Sequence, residues 1–287
     1  MSGKKNGAHA EDTARSRPAR ALERAAASCL ALFAEAGAVC RCHHRGILAL
    51  LAAIVGGAAA LFPHDAALLE AVIGWSNTAL RGWLQDIGAG LGWSGLAELR
   101  RQDLKEAARA LYFWGDFLTG SLFFSAVVWL IGRLVGWRLW RVAALAALLA
   151  SAGAGLTANF LRLTTGRPRP LNERIADGFY GVRFDHRYHA FPSGHSATAW
   201  GTATALAVAA PAVGVPALAG AGAVVWSRLY LKAHRPTDVW VGAGFGVFWG
   251  VALGLAARRV ARADASAGGC GGGRADSDMG GTDAGRG

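Results

Sequence analysis

The run VAALAALLASAGAGLTANF, residues Val142–Phe160, contains 19 residues and no charged side chain. A helix needs about 20 predominantly apolar residues to cross the hydrocarbon core of a bilayer. Further mainly apolar runs lie on both sides of this one. Together they predict an all-α fold, a polytopic membrane helix bundle with about six transmembrane helices. The additional predicted spans are Gly46–Phe62, Leu111–Val135, His195–Val213, Ala217–Tyr230 and Val239–Ala257.

The composition of the whole chain favours membrane spans over one large water-soluble core. Hydrophobic residues make up 53% of the chain and charged residues 17%, with a mean hydropathy of +0.28. Soluble domains usually carry about 25% charged residues. The net charge is +11, and its cations flank apolar runs or crowd the segment Arg162–Arg187. Because this distribution forms no extended basic face with interleaved aromatic residues, nucleic acid is not an expected partner.

Polar segments flank the predicted membrane domain, which covers residues 46–258. Residues 1–45 are basic and Ala-rich, and we expect a flexible cytoplasmic segment there, followed by an uncleaved first span. Residues 259–287 are Gly-rich and polar, which predicts a disordered tail. The cluster Cys40-Arg41-Cys42-His43-His44 has metal-binding residue types but no matching second pair downstream. It is interpreted as a juxtamembrane segment, and the sequence predicts no metal site.

The segment Pro63–Ala110, between the first two predicted spans, contains Trp75, Trp83 and Trp93 in an amphipathic pattern. Tryptophan is enriched where a membrane meets water. A pair of interfacial helices with the tryptophans at headgroup level is therefore expected, and an ordinary loop remains the alternative.

Orientation follows from the arginines near the span ends. The turn between the second and third predicted spans carries Arg133, Arg138 and Arg141. Cytoplasmic loops are enriched in Lys and Arg, so we expect this side to be cytoplasmic. The loops 162–195 and 227–238 then lie outside the cytoplasm. We expect an integral protein of a bacterial inner membrane, with its active site on the periplasmic side.

Three clusters of chemically reactive or phosphate-binding residue types occur on that outer face. The first leaves the third span, the second enters the fourth, and the third connects the fifth and sixth. Each taken singly also fits a helix cap or an interfacial anchor, but the occurrence of all three on one face favours function. The clusters are Arg162-Leu-Thr-Thr-Gly-Arg-Pro-Arg169-Pro170, Pro192-Ser193-Gly194-His195 and Ser227-Arg228 followed by His234 and Asp238.

Five of these residues suit phosphate binding. Arginine presents a planar fork of donors that matches phosphate oxygens, as Arg162, Arg169 and Arg228 can do. Ser193 and Gly194 stand where a helix begins, and the free N–H groups and dipole of a helix start favour an anion.

The remaining residues suit proton and phosphoryl transfer. Asp238 follows His234 by four residues, and we expect it to accept a hydrogen bond from the His234 ring. That bond would leave the other ring nitrogen free to attack phosphorus. His195 is expected to protonate the leaving oxygen and later to activate water.

These clusters resemble the three-part signature Lys-x6-Arg-Pro, Pro-Ser-Gly-His and Ser-Arg-x5-His-x3-Asp of the phosphatidic acid phosphatase type 2 and vanadium haloperoxidase superfamily. The likeness covers Arg162–Asp238, and Arg162 stands at the lysine position. The resemblance implies that His234 is the nucleophile, Asp238 its partner and His195 the acid and base. It implies phosphate binding by Arg162, Arg169, Ser193, Gly194 and Arg228, without a metal or other cofactor. Arg167 falls in the spacer and receives no role.

The resemblance implies a membrane phosphatase that hydrolyses a lipid phosphate or diphosphate monoester through a phosphohistidine. Its partners would be that substrate and membrane lipids, while the oligomeric state stays open. Phosphatidic acid, phosphatidylglycerol phosphate, undecaprenyl diphosphate and lipid A are all candidate substrates. The alternatives are a vanadate-dependent haloperoxidase-like enzyme, a non-catalytic protein that binds lipid phosphates, and a transporter.

Overall fold

The computed structural model describes residues 17–269, and the side chains of residues 23–263. This part of the chain is built from α-helices with short 3₁₀ and π turns between them, and it contains no strand. The all-α prediction is confirmed. The helices are α1 (Arg17–Cys42), α2 (His44–Leu61), α3 (Asp65–Trp75), α4 (Arg81–Leu91), α5 (Ser94–Ala97), α6 (Arg101–Gly115), α7 (Leu122–Leu134), α8 (Arg138–Thr165), α9 (Gly194–Ala209), α10 (Pro211–Tyr230) and α11 (Pro236–Gly269).

Six helical segments within residues 17–269 are long and apolar enough to cross a membrane, which confirms the predicted number. Five of them contain all or most of a predicted span. The fourth predicted span, His195–Val213, corresponds to α9, which has 16 residues and is too short to be counted among the six because it ends just before Pro211. Its place in the number is taken by Glu23–Cys42, which lies in the segment that we expected to be flexible. The six segments are Glu23–Cys42, His44–Leu91, Phe117–Leu134, Arg138–Thr165, Pro211–Tyr230 and Pro236–Ala263.

Helix α9 lies at the centre of the bundle, between α8, α10 and α11. Small residues let these helices approach closely, as is common where helices pack in lipid. Ala150 and Ala205 are fully buried in the alanine-rich core that α8, α9 and α11 share. A Cβ on Gly246 of α11 would lie 2.7 Å from the carbonyl oxygen of Ala197. This close packing fixes the end of α8 and the starts of α9 and α11 at one end of the bundle.

The expected flexible segment 1–45 is a helix over residues 17–42. Leu32 and Ala36 of α1 are buried against the end of α11, and Glu35 lies 3.6 Å from Arg259. The expected disordered tail 259–287 likewise begins as helix, because α11 continues to Gly269. The sequence did not indicate these two helical segments, because polar residues alternate with apolar ones in α1 and because the C-terminal segment is rich in glycine. The remaining parts, residues 1–16 and 270–287, lie outside the described residues.

The segment between the first two predicted spans is helical, so the ordinary-loop alternative is wrong. Helices α3–α6 cover it, and hydrogen bonds from Trp226 to Ser76 and from Tyr230 to Asn77 join it to α10. The predicted span Leu111–Val135 is broken at Asp116. There the backbone becomes extended and the Asp116 carboxylate accepts bonds from the amides of residues 118 and 119.

Candidate active site

The three sequence clusters meet at one end of the bundle. Helix α8 ends just after Arg162, where Gly166 takes a left-handed conformation with a φ of 60°. Helix α9 begins at Gly194 and α11 at Pro236, while Arg228 lies in the last turn of α10. Electrostatic interactions connect the His195 ring with all three predicted phosphate-binding arginines and with His234. The structure therefore brings together the residues that the sequence selected.

His234 is held by a main-chain carbonyl. Its side chain is 2% exposed, and its Nδ1 lies 2.7 Å from the carbonyl oxygen of Ala190. Because a carbonyl only accepts hydrogen bonds, Nδ1 carries the proton, and Nε2 of the neutral ring keeps its lone pair. Burial lowers the pKa of His234 below its ordinary value, against the opposing effect of the Asp238 carboxylate. The arrangement yields a neutral imidazole with one nucleophilic nitrogen.

Asp238 does not make the expected hydrogen bond with His234. The closest approach, between Asp238 Oδ2 and His234 Nδ1, is 3.8 Å, which is too long for such a bond. Asp238 Oδ2 instead accepts a 2.8 Å bond from the amide of Arg235, and Oδ1 accepts a 2.7 Å bond from Arg167. Since His234 lies before the start of α11, the carboxylate caps the helix instead of facing the ring directly. The Asp238 carboxylate therefore lies close enough to stabilise a positive charge on the His234 ring, without a direct hydrogen bond to it.

Arg167, which received no role from the sequence, is a fully buried charge of the site. Its side chain is inaccessible to solvent, and it binds Asp238, Asp65 at 2.8 Å and Asp177 at 2.7 Å. Its guanidinium also stacks 4.8 Å from the ring centroid of Phe62. Burial opposes the charge, but the hydrogen bonds and negative charges of these carboxylates outweigh it and raise the pKa of Arg167. Two of the partners are 71 and 102 residues away along the chain, so no local pattern could reveal them.

Asp65 also caps α11. Its Oδ1 accepts 2.8 Å hydrogen bonds from both the amide and the hydroxyl of Thr237. The same carboxylate binds Arg167 through Oδ2. A residue from the start of α3 therefore supports the first turn of α11, beside His234.

The start of α9 is tightly packed against Arg162. A Cβ at Gly194 would collide with Nη2 of Arg162, so only glycine lets this guanidinium approach the helix start. Ser193 is buried, its amide donates a 2.9 Å bond to the carbonyl of Asp238, and its hydroxyl accepts from the amide of Ser196. These bonds align the first turn of α9, whose leading N–H groups have no partner inside the helix.

Buried donors without partners converge in this region. Buried polar side-chain atoms are nearly always hydrogen-bonded, so each exception needs an explanation. Three of the exceptions within residues 23–263 are guanidinium nitrogens of the predicted phosphate-binding arginines, and a fourth is a nitrogen of His195. Such donors suit an anion with several acceptor oxygens. The atoms are Nε of Arg162, Nε of Arg169, Nη2 of Arg228 and Nε2 of His195.

Tyr112 is a further site residue that the sequence did not indicate. Its ring centroid lies 4.4 Å from that of His195, and the guanidinium carbon of Arg228 lies 4.6 Å from the Tyr112 ring. In the sequence Tyr112 falls in the predicted span Leu111–Val135, and nothing in that run distinguishes it. It restricts the positions of two phosphate-site side chains at once.

Comparison with known proteins finds a family profile and named relatives that match part of this chain. A family profile described as PAP2 superfamily matches residues 142–261. A protein named lipid A 1-phosphatase from Rhizobium johnstonii is 34% identical over 98 residues, which cover 33% of this chain and 40% of the relative. The protein of the same name from Rhizobium etli is 35% identical over 95 residues, which cover 32% of this chain and 41% of the relative. The alignments thus span only about 40% of the length of these relatives.

One solved structure is also similar. It is the crystal structure of a transmembrane PAP2 type phosphatidylglycerolphosphate phosphatase from Bacillus subtilis. The sequences are 20% identical, the match covers 73% of this chain and 96% of the other, and the TM-score is 0.38.

Proposed function

We propose that this integral membrane protein, whose residues 142–261 match the PAP2 superfamily profile, is a phosphatase that hydrolyses a lipid phosphate or diphosphate monoester through a phosphohistidine. One observation carries the proposal. Buried, unpartnered donors of Arg162, Arg169 and Arg228 converge with those of His195 beside the neutral ring of His234. Such a site combines phosphate binding with a nucleophile and a second proton-transferring group.

In the first step, Nε2 of His234 attacks phosphorus. The N–P bond forms as the bond between phosphorus and the lipid oxygen breaks, and protonated His195 gives its proton to that leaving oxygen. Negative charge on the bound phosphate favours the protonated form of His195 at this stage. The phosphorylated His234 ring is cationic, since Nδ1 stays protonated, and the Asp238 carboxylate 3.8 Å away stabilises that charge.

In the second step, His195 accepts a proton from water. The water oxygen bonds to phosphorus as the N–P bond breaks, inorganic phosphate leaves, and Nε2 of His234 recovers its lone pair. The arginines hold the phosphoryl oxygens throughout, where their charge stabilises the transition state more than the ground state.

A lipid substrate is supported by an apolar cavity of about 390 Å³ between α6, α7, α9 and α10. Val224 and Ala199 belong to its wall, and a Cβ at Gly115 would meet both Val224 and His195, so the cavity wall lies close to His195. An acyl chain in this cavity would bring its headgroup to the histidines. The relatives named lipid A 1-phosphatase support a phosphorylated lipid as the substrate class.

We further propose a bacterial inner membrane as the location, with the site on the periplasmic side. The site lies at the end of the bundle opposite Arg133 and the start of α2. The cluster of Arg133, Arg138 and Arg141 near that opposite end favours the cytoplasm for it.

The direct test is phosphate release by purified protein in detergent. Phosphatidic acid, phosphatidylglycerol phosphate, undecaprenyl diphosphate and lipid A form the substrate panel. We expect release from at least one lipid by the wild type and none by His234→Ala. His44→Ala, an exposed histidine at the opposite end of the bundle, is the matched control and should retain activity. Absence of release from every lipid, or full activity of His234→Ala, would contradict the proposal.

A further inference from the structure

A second, basic cavity of about 510 Å³ lies next to the candidate active site. It is bounded by α6, by the turn that follows α3 and by the end of α10. Its lining includes the cations Arg101, Lys105, Arg109 and Lys232, together with Asn77. No acidic side chain belongs to its lining.

The cations of α6 form a continuous stripe that leads to the active site. Arg101, Lys105 and Arg109 are spaced four residues apart, and Tyr112 follows three residues later, so all four share one helix face. Tyr112 contacts the ring of His195 and the guanidinium of Arg228. At a rise of 1.5 Å per residue, Arg109 stands only about 4.5 Å along the helix from Tyr112.

The charge of this cavity is largely uncompensated. Lys232 forms a 2.8 Å ion pair with Glu70. Arg101, Lys105 and Arg109 pair with no acidic side chain in the part of the chain that the structure describes. Glu106, the acidic residue next to Lys105, accepts a bond from Gln102 instead. Three cations on one wall, without counter-charges, attract an anion.

The backbone conformation and its hydrogen bonds fix the position of Lys232 at the cavity wall. Its φ of 52° is left-handed, a conformation that is uncommon for residues with a Cβ. Its amide donates a 2.9 Å bond to the carbonyl of Leu229, and its carbonyl accepts a 3.1 Å bond from the amide of Leu171. The two bonds hold a strained residue at the cavity wall, and strain of this kind concentrates at ligand sites.

We propose that this cavity binds a second anionic group, of the phosphate or carboxylate class, on the same lipid headgroup whose phosphate ester is cleaved at His234. The proposal rests on the function proposed above. The two sites are neighbours, because the lining residue Lys232 lies between Arg228 and His234 along the chain and the lining residue Leu171 follows Arg169 by two residues. A headgroup with two separated anions can therefore reach both sites at once, and the second contact selects for doubly anionic lipids.

The test uses two glucosamine-disaccharide lipids that differ by one phosphate, one monophosphorylated and one bisphosphorylated. Equilibrium binding of both is measured in detergent in a His234→Ala background, so that turnover does not consume the ligand. We expect Lys105→Ala/Arg109→Ala to weaken binding of the bisphosphorylated lipid by about tenfold, the size of one lost charged contact. Binding of the monophosphorylated lipid should stay within about twofold. In catalytically intact protein, the same pair should raise KM for the bisphosphorylated lipid and leave kcat unchanged.

The control is Arg45→Ala/Arg133→Ala, which removes two exposed cations at the opposite end of the bundle. It should not change the binding of either lipid. The proposal would be overturned if Lys105→Ala/Arg109→Ala weakened the binding of both lipids equally, or of neither. Tight binding of free inorganic phosphate that abolishes the difference between the lipids would also overturn it, since the cavity would then be a free-anion site. Because binding is measured without turnover, a wild type that releases no phosphate would refute the proposed enzymatic function and leave this test valid.

Discussion

Arg167 and Asp238 are joined by a 2.7 Å hydrogen bond between Nη1 and Oδ1, and neither side chain is accessible to solvent. The bond fixes the carboxylate that stands 3.8 Å from His234 Nδ1, while the carbonyl of Ala190 fixes the ring itself. Through Asp65, the same arginine links α3 to the first turn of α11. Arg167 is therefore a positioning residue, which acts on the nucleophile through Asp238.

Replacing Arg167 with alanine would leave Asp65 and Asp238 buried without their shared cation. Breaking a buried ion pair in this way costs about 3–5 kcal/mol. We expect a correspondingly large fall in the thermal unfolding temperature of the detergent-solubilised protein. Arg167→Lys keeps the charge but not the planar fork of donors, so the fall in its unfolding temperature should be smaller than that of Arg167→Ala. The exposed Arg174→Ala is the control, and unfolding of Arg167→Ala at the same temperature as this control would refute the role.

The hydrogen bond between His234 Nδ1 and Ala190 predicts which nitrogen is phosphorylated. Because Nδ1 donates to the carbonyl, only Nε2 can attack phosphorus. Protein quenched during turnover should carry acid-labile, base-stable phosphate on His234, bonded to Nε2. Phosphorus NMR of the digested peptide, compared with both phosphohistidine isomers, distinguishes the two positions. Phosphate on Nδ1 would show that the ring reacts in a different orientation.

The pH dependence of kcat/KM should report the environment of His234. Burial lowers its pKa below the ordinary value of 6.5, and the Asp238 carboxylate acts in the opposite direction. The nucleophile is active when neutral, so activity is lost as the pH falls through that lowered pKa. Asp238→Asn removes the opposing carboxylate and should move the acidic limb to still lower pH. Using one substrate for both proteins cancels the titration of the phosphate itself, and a limb that moves to higher pH would contradict the assignment.

Arg162 and Gly194 should behave as a coupled pair. We expect Arg162→Ala to lower kcat/KM at least about tenfold, the effect of one lost charged hydrogen bond, and Arg162→Lys to retain much more activity. Gly194→Ala should also lose activity, because its Cβ would collide with Nη2 of Arg162. Lysine has no such fork, so Gly194→Ala should cost less in the Arg162→Lys background. The test compares kcat/KM, normalised to folded enzyme, for the wild type, Arg162→Lys, Gly194→Ala and the double variant. If the losses of the two single variants simply add in the double variant, the coupling is excluded.

Topology can be tested with reporters at two positions. A reporter fused after Val135 should behave as cytoplasmic, and one inserted near Gly178 as periplasmic. The reason is the arginine-rich turn that follows Val135, whereas Gly178 lies in the loop at the site end of the bundle. A cytoplasmic signal from the Gly178 insertion would invert the proposed orientation.

The apolar runs and the three motifs were sufficient to predict the helical bundle and the residues that converge at its end. Those residues lie within a few positions of helix ends, so their convergence follows once the helices pack side by side. The support for His234 could not be predicted, because Arg167 meets Asp65 and Asp238 across 102 and 71 residues of chain. Spacing also suggested a direct bond between His234 and Asp238, which is absent because His234 precedes the helix that carries Asp238.

The cap that Asp65 provides to Thr237 has a consequence for recombination between related proteins. Residues 142–261 contain every motif of the candidate site, yet Asp65 and Tyr112 lie outside that segment. A chimera that received only this segment would carry Arg167 without one of its carboxylates and α11 without one of its caps. The segment is therefore not a transplantable module, and a successful exchange must include a host with an acidic residue at the position of Asp65.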